Sequence, residues 1–246
     1  MTKTFVFPTT DALSGALNDF VAQSSKAAIA DHGAFTVAVS GGSLPKLLSK
    51  DLAQNMQVDF SKWHVFWADE RCVPLDHEDS NYLLLKKELL DKVSIPAENI
   101  HTINPSFGKD AAKAAEEYQE QLKSYFKDLP SFDLVLLGMG PDGHCCSLFP
   151  GHPLLNEFEK WVAPITDSPK PPPERITLTY PVLNNAKAVA FVTAGEGKQD
   201  MLHSILEQPE LQLPCQRVQP RNNAPVYWFV DNAAAGKLKS ETKSKY

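Results

Sequence analysis

Hydrophobic positions along this chain alternate between helical spacing and short continuous runs. Apolar residues at helical spacing predict a helix over 9–31, and Gly33 follows it, as is typical of a helix C-terminus. The continuous apolar run 132–137 predicts a strand that is buried on both faces. The same patterns predict further strands at 35–39, 65–68, 161–165, 175–178, 187–193 and 226–230, and further helices at about 44–54, 81–92, 109–127, 198–207 and 232–238.

This order of elements predicts the fold class. Strands that alternate with helices pair in parallel, because each helix provides the crossover that a parallel pair needs. We therefore expect an α/β fold with a Rossmann-like, mostly parallel sheet and helices on both faces, in a single domain over 1–246. The proline-rich stretch 168–173 indicates a stiff loop within that domain, and 239–246 a flexible, solvated tail.

Composition narrows the classes of partner. The 246 residues carry a formal net charge of −6, which argues against nucleic acid or an anionic membrane as the main partner. No apolar run has the roughly 18 residues of a membrane span, and the N-terminus lacks a signal-peptide core, so we expect a cytoplasmic protein. The four cysteines, with Cys145 and Cys146 adjacent, do not resemble a disulfide framework. An anionic substrate would need a local basic site.

The segment 132–144 carries the clearest chemistry. A strand leads into three glycines, which are interleaved with Asp142 and His144 at the strand's carboxyl end. Open α/β sheets bind their ligands at that end, and a carboxylate beside an imidazole makes a base that works near neutral pH. The pair is therefore a candidate catalytic base.

The segment 132–144 has two alternative interpretations, of which the first is a dinucleotide-binding site. The spacing of its glycines over 138–143 matches a dinucleotide fingerprint, and Asp167 lies at a tolerable distance for the ribose acid. Pro150 and Pro153, however, interrupt the long helix that such a site needs.

A metal site or a thiol nucleophile is the second alternative. His144, Cys145, Cys146 and His152 lack the usual spacing of zinc ligands, and adjacent cysteines point apart. Cys145 as a nucleophile is disfavoured because neighbouring residues seldom orient for proton transfer between them. No metal is predicted.

A phosphate site is indicated by two glycine turns and an arginine. Ser40-Gly41-Gly42-Ser43 joins a strand to a helix, which suits either an anion cradle or a tight turn with Ser43 as the N-cap. Lys198 follows a second glycine turn that departs from a nucleotide P-loop, and is either a phosphate contact or a surface lysine. Arg175 begins a strand directly after the stiff proline loop, which suits bidentate recognition of a phosphate. Asp69-Glu70-Arg71 is typical of a solvated turn, although its place after strand 65–68 favours a role for Asp69 or Arg71.

Together these segments resemble the 6-phosphogluconolactonase family. The motifs that carry the resemblance are Ser40-Gly41-Gly42-Ser43, Trp67-Ala68-Asp69-Glu70-Arg71-Cys72-Val73-Pro74, Gly138-Met139-Gly140-Pro141-Asp142-Gly143-His144, the block 168–179 and Gly195-Glu196-Gly197-Lys198. Each motif is weak alone, but the five occur in the family's order. The resemblance implies a Rossmann-like α/β domain, no cofactor or metal, and hydrolysis of 6-phospho-D-glucono-1,5-lactone in the oxidative pentose phosphate pathway. It also implies a phosphate site made by Gly41, Gly42 and Ser43 with Arg175 and Lys198.

The resemblance further implies that His144 is the base, supported by Asp142 and Asp69. A δ-lactone is an activated ester, so an aligned water, a base and an oxyanion donor are sufficient chemistry. Backbone N–H groups around Gly143, or Arg71, are the expected oxyanion donors.

Two functions remain as alternatives. The glucosamine-6-phosphate deaminases share the glycine-Asp-Gly-His motif, but they place a glutamate five residues beyond the histidine, where this chain has Phe149. A non-catalytic sugar-phosphate sensor is the other alternative, and the intact Asp142 and His144 count against it. The sequence leaves the oligomeric state open and is compatible with a monomer.

Overall fold

Six parallel strands form the centre of the computed structural model, which describes residues 1–246. They are β1 (Thr2–Phe7), β2 (Phe35–Val39), β3 (Trp63–Trp67), β5 (Leu134–Leu137), β8 (Val189–Thr193) and β9 (Val226–Asp231), in the order β1-β9-β8-β5-β2-β3. Every neighbouring pair is parallel. The predicted Rossmann-like sheet is thus confirmed, although β1 was not predicted.

A second sheet stands apart from the first. Strands β4 (Asp69–Arg71), β6 (Val162–Ile165) and β7 (Arg175–Leu178) pair antiparallel in the order β4-β7-β6. The sequence predicted β6 and β7 as strands without separating them from the parallel sheet, and it treated Asp69–Arg71 as a turn. The proline loop that joins β6 to β7 contains no helix, so it cannot provide the crossover of a parallel pair.

Helices cover both faces of the parallel sheet. They are α1 (Thr10–His32), α2 (Leu44–Ser49), α3 (Asn81–Glu88), α4 (Ala111–Phe126), α5 (Tyr180–Leu183) and α6 (Gln199–Glu207). One buried cluster joins α1, α2 and α3 to one face, and the other joins α4, α6 and the second sheet to the opposite face. The arrangement is a single α/β domain, as expected. No helix is long and apolar enough to span a membrane.

The predicted helix at 232–238 is wrong. These residues form turns, and the carboxylate of Asp231 accepts the amide of Ala234 at 2.8 Å. This contact is the one that an N-cap residue makes, but the chain after it continues in turns rather than as a regular helix.

The C-terminal residues lie along the edge of the sheet. The amide of Ser244 donates to the carbonyl of Thr4 at 2.7 Å, beside β1. The Tyr246 ring lies 5.0 Å from that of Phe5, and its hydroxyl donates to the carbonyl of Ala16. These contacts argue against the flexible tail expected for 239–246, because the segment covers an otherwise unpaired edge strand.

The strand order places a crevice between β2 and β5. From β2 the chain moves outward to the edge strand β3, and it then returns to add β5 on the opposite side of β2. Connections therefore leave the carboxyl ends of β2 and β5 in opposite directions. This topological switch point is where open α/β sheets bind their ligands.

Candidate active site

A cavity of about 230 Å³ opens at this switch point. Eight of the ten residues proposed from the sequence line it: Gly41, Gly42, Ser43, Asp69, Arg71, His144, Arg175 and Lys198. Asp142 does not line the cavity but bonds His144, which does. Segments that are far apart in sequence thus meet at one site.

The His144 imidazole is held by Asp142 at the end of β5. Nδ1 of His144 lies 2.5 Å from Oδ1 of Asp142, and the His144 amide donates to the same oxygen at 3.2 Å. The imidazole also packs against the Phe149 ring, with 4.6 Å between the ring centroids. Because Nδ1 is bonded to a carboxylate, we assign its proton there, which leaves the lone pair of Nε2 free.

Burial sets the protonation of this pair. Burial lowers the pKa of His144 below its ordinary value, although the hydrogen bond to Asp142 acts in the opposite direction. Burial works to raise the pKa of Asp142, but its bond to His144 and the charge of that ring outweigh this and lower it. At neutral pH the site therefore holds a neutral imidazole beside a carboxylate, as a general base requires.

The glycines of this turn make room for the imidazole. A Cβ atom at Gly140 would overlap the His144 ring, so only glycine fits there. Gly143 adopts a φ of +84°, a region that favours glycine. No long helix follows, which removes the dinucleotide interpretation: the chain forms turns and then a short 3₁₀ helix at Pro153–Asn156.

The expectation that Gly143 donates to an oxyanion is not supported. Its amide donates to the carbonyl of Gly140 at 3.0 Å, within the turn itself. Gly143 also does not line the cavity, and a Cβ placed on it would point at Met201 and Leu213. A glycine motif read from sequence gives no information on which amides the turn already uses.

The turn after β2 presents free amides to the cavity. The N–H groups of Gly41, Gly42 and Ser43 make no hydrogen bond within the protein, and the Ser43 side chain does not cap α2. Gly42 has a φ of +70°. A Cβ at Gly41 would overlap the side-chain amide of Asn81. This geometry favours an anion cradle over a simple N-capped turn.

Strand β4 carries Asp69 into the site from the second sheet. Asp69 is buried and accepts a hydrogen bond from the Ser147 hydroxyl at 2.9 Å, and its carbonyl accepts one from the Asn81 side chain at 3.0 Å. Arg71 donates through Nη1 to the carbonyl of Asp79 at 3.0 Å, whereas its Nε is buried without a partner.

Glu70, between these two residues, points away from the cavity and accepts three backbone amides. They belong to Arg71, Asn81 and Tyr82, each at 2.8 Å. Burial raises the pKa of Glu70 to about 7. The carboxylate thus attaches β4 to the first turn of α3, and through Asn81 to the turn at Gly41.

Arg175 lies in the cavity wall, and most of its N–H groups are already hydrogen-bonded to backbone carbonyls of the protein. Its Nε donates to the carbonyl of Pro172 at 3.0 Å, and its Nη2 donates to the carbonyls of Lys170 and Pro171 at 2.9 and 3.2 Å. Nη1 has only a long contact of 3.5 Å with the Ser147 hydroxyl. The bidentate phosphate contact expected from the sequence is thus unsupported in this arrangement.

Lys198 reaches the site from the turn after β8. Its Nζ donates to the carbonyl of Met139 at 2.8 Å, beside the turn that carries His144. Burial lowers the pKa of Lys198, with the nearby charge of Lys170 acting in the same direction.

Several lining residues were not among the site residues predicted from the sequence, although Ser40 belongs to the predicted glycine turn. Ser40 directly follows β2 and Thr193 ends β8, and their hydroxyls are buried on the cavity wall without a hydrogen-bond partner. A polar residue that ends an apolar strand is the signal that would have found them. Asn81 and Lys170 also line the cavity; Lys170 belongs to the proline-rich block 168–179, but no role was predicted for it, and no local pattern marks Asn81.

The cysteines beside His144 are buried and unsuited to nucleophilic attack. The pKa of the Cys146 thiol is raised well above its usual value by its hydrogen bond with Cys145 and by burial. A thiol held in its protonated form is a poor nucleophile.

The fold and the site define an open α/β protein with a polar cavity at its topological switch point. The chain matches the family described as glucosamine-6-phosphate isomerases/6-phosphogluconolactonase over residues 8–228, and it belongs to that family. It is 49% identical to a probable 6-phosphogluconolactonase of Schizosaccharomyces pombe, over 95% of each chain. It is 48% identical to the 6-phosphogluconolactonase of Rattus norvegicus, over 94% of this chain and 91% of the relative.

Two solved structures of proteins named 6-phosphogluconolactonase superpose on this chain over most of its length. The crystal structure of 6-phosphogluconolactonase from Thermotoga maritima superposes with a TM-score of 0.82 at 28% identity, over 94% of this chain and all of the other. That of the Trypanosoma brucei enzyme superposes with a TM-score of 0.84 at 26% identity, over 97% of this chain and 99% of the other.

Proposed function

We propose that this chain hydrolyses 6-phospho-D-glucono-1,5-lactone to 6-phosphogluconate, a step of the oxidative pentose phosphate pathway. The observation that carries the proposal is the Asp142–His144 base beside free amides at the switch point, in a chain about half identical to proteins named 6-phosphogluconolactonase. The reaction consumes one water and needs no redox change, so the side chains on the cavity wall are sufficient for it.

In the proposed mechanism His144 activates the water. Nε2 takes a proton from the water as its oxygen bonds to C1 of the lactone, and the carbonyl electrons move to the carbonyl oxygen. When this tetrahedral species collapses, the carbonyl reforms and the bond from C1 to the ring oxygen breaks. The ring oxygen then takes the proton from the imidazolium. Asp142 stabilises that transient positive charge.

The phosphate is proposed to bind between the two glycine turns. The amides of Gly41, Gly42 and Ser43 are free to donate, and Lys198 supplies a positive charge from the opposite side. A phosphate anchored there fixes C1 against the water, so that remote binding energy assists the chemical step.

The environment of His144 favours the lactonase over the deaminase. The imidazole packs against the apolar ring of Phe149, at the position where the resemblance to deaminases would require a carboxylate. Without that carboxylate, proton transfer for opening the sugar ring has no second acid. We further propose that the enzyme acts in the cytoplasm, on a free phosphosugar and without a nucleic-acid partner.

A direct assay tests the proposed function. Generated 6-phosphogluconolactone is supplied to the protein, and loss of the lactone is followed after subtraction of spontaneous hydrolysis. Acceleration of this loss supports the proposal. Ammonia release from glucosamine 6-phosphate would support the deaminase instead, and tight binding of a phosphosugar without turnover would support the sensor.

A further inference from the structure

Four cationic side chains line the cavity, and they differ in what they already bind. Nη1 of Arg71 donates to a backbone carbonyl, Arg175 donates to three, and Nζ of Lys198 donates to the carbonyl of Met139. Lys170 is the exception, because its Nζ forms neither a hydrogen bond nor an ion pair. It is therefore the cation whose donors are all free for a ligand.

The backbone around Lys170 is fixed although its side chain is free. Its carbonyl accepts hydrogen bonds from Nη2 of Arg175 at 2.9 Å and from the Ser168 hydroxyl at 2.8 Å. Its amide donates to the same hydroxyl at 3.2 Å. Arg175 also holds the next two carbonyls of the loop, at Pro171 and Pro172. The buried guanidinium therefore fixes the segment that presents Lys170.

The positive charge of Lys170 acts on two other groups of the cavity, His144 and Lys198. Burial lowers the pKa of His144, and the positive charge of Lys170 adds to that effect. The same charge acts on Lys198 across the cavity. His144 and Lys198 line one cavity with Lys170, so its ammonium group and the catalytic imidazole face the same space.

We propose that Lys170 contacts the lactone carbonyl and stabilises its oxyanion, and that Arg175 is the positioning residue that holds Lys170 there. This inference rests on the proposed lactonase function. It differs from the expectation that Arg175 binds the phosphate and that Gly143 or Arg71 supplies the oxyanion donor. The Gly143 amide is used within its turn, Nε and Nη2 of Arg175 are held by loop carbonyls, and Nη1 of Arg71 is held by the carbonyl of Asp79.

The carbonyl is a better assignment for Lys170 than the phosphate. The three free amides at 41–43 and Lys198 already offer donors to a phosphate. Among the four cavity cations, Lys170 alone has every donor free, since Arg71, Arg175 and Lys198 each donate to at least one backbone carbonyl. One well-placed donor to an oxyanion is worth roughly 10²- to 10³-fold in kcat.

Lys170→Met tests the first half of the proposal, because it removes the charge and retains the length of the side chain. Turnover is measured with 6-phosphogluconolactone and with unphosphorylated glucono-δ-lactone. We expect kcat to fall by roughly 10²-fold for both substrates, with partial recovery in Lys170→Arg. The acid limb of the kcat/KM profile should move to higher pH, because the charge that lowers the pKa of His144 is gone. The exposed Lys160→Met is the matched control.

Two outcomes would overturn this assignment. If Lys170→Met raises KM for the phosphorylated lactone alone and leaves glucono-δ-lactone hydrolysis intact, Lys170 binds the phosphate. If neither substrate is affected, it contacts nothing during turnover. In both cases the native protein remains an active lactonase, so failure of this proposal is distinct from failure of the proposed function.

Arg175→Lys tests the positioning role. A lysine keeps the charge but lacks the planar fork that reaches three carbonyls. We expect kcat to fall as in Lys170→Met, and the double variant to lose little more, since both changes disable one group. A selective rise in KM for the phosphorylated lactone, or fully additive losses, would show that Arg175 acts independently of Lys170.

Ser168→Ala provides a second test that leaves the buried arginine in place. It removes the other side chain that holds the Lys170 backbone. We expect a smaller fall in kcat with KM nearly unchanged, and thermal unfolding verifies that each variant is folded. Unchanged kcat in Ser168→Ala, with normal turnover of any folded Arg175→Lys protein, would contradict the positioning role.

Discussion

The two sheets contribute to the site in different ways. The parallel sheet ends in turns whose function depends on backbone geometry, with free amides at 41–43 and a glycine that accommodates His144. The small antiparallel sheet contributes charged side chains, Asp69, Arg71 and Arg175, each of which makes at least one hydrogen bond within the protein. Under the proposed function, the first sheet meets the substrate directly and the second holds other groups in place.

The largest effect is expected on removal of the proposed base, His144, at the end of β5 of the parallel sheet. We expect His144→Ala to reduce kcat by roughly 10²- to 10⁴-fold, the usual contribution of a general base, with KM little changed. The lactone assay measures both constants. His203→Ala, on α6 and outside the cavity, is the control and should retain turnover. Turnover close to that of the native protein in His144→Ala would exclude the mechanism.

A second test concerns the phosphate side of the parallel sheet. We expect Lys198→Ala to reduce the preference for the phosphorylated lactone over glucono-δ-lactone by roughly 10- to 100-fold, because a hydrogen bond to a charged group is lost. The ratio of kcat/KM for the two substrates measures this preference. The exposed Lys26→Ala should leave the ratio unchanged. An unchanged ratio in Lys198→Ala would mean that the phosphate lies elsewhere in the cavity.

The difference between the two sheets also explains which features of the fold and the site could be predicted from the sequence. Short buried strands, Gly33 as a helix end and the Asp142–His144 pair are local features. The structure confirms the first two, and it places His144 in the cavity wall with Asp142 bonded behind it. The split into two sheets is not local, because an apolar run has the same pattern in either sheet.

The partners of Arg175 and Gly143 were equally hidden from the sequence. Whether an arginine binds a ligand or the carbonyls of its own loop depends on how the chain folds around it. The amide of Gly143 is occupied by a turn bond that glycine spacing alone does not specify. Sequence therefore identified the cavity wall better than it identified what each group in that wall binds.

A third test distinguishes the need for space beside the His144 imidazole from a general effect of a substitution on the stability of the protein. Gly140→Ala would place a methyl group on the His144 ring, and we expect a loss of about 1–3 kcal/mol in the free energy of unfolding together with a displaced base. Gly138→Ala, where a Cβ meets nothing within 4 Å, is the matched control for stability. Denaturant unfolding and the lactone assay are run on both. Equal stability and equal activity in the two variants would contradict the fit of His144 over Gly140.

The last test concerns the second sheet and measures how the free energy of unfolding depends on pH. Because burial raises the pKa of Glu70 to about 7, the folded protein binds a proton there that the unfolded chain has released above its ordinary pKa of 4.5. The contribution of Glu70 to the free energy of unfolding is therefore fully present below about pH 4.5. It decreases as the pH rises toward 7, and above that pH it does not change further. The total change is roughly 3 kcal/mol.

Glu70→Gln should remove that slope, because glutamine does not titrate. It keeps an acceptor for the amides of Arg71 and Asn81 but turns a donor toward that of Tyr82, so we expect a modest loss of stability at low pH, by about 1 kcal/mol. Denaturant unfolding between pH 4.5 and 7.5 measures the slope, and the exposed Glu78→Gln should reproduce that of the native protein. If Glu70→Gln keeps the native slope, Glu70 is already ionised in the folded state, and its three amides outweigh the cost of burial.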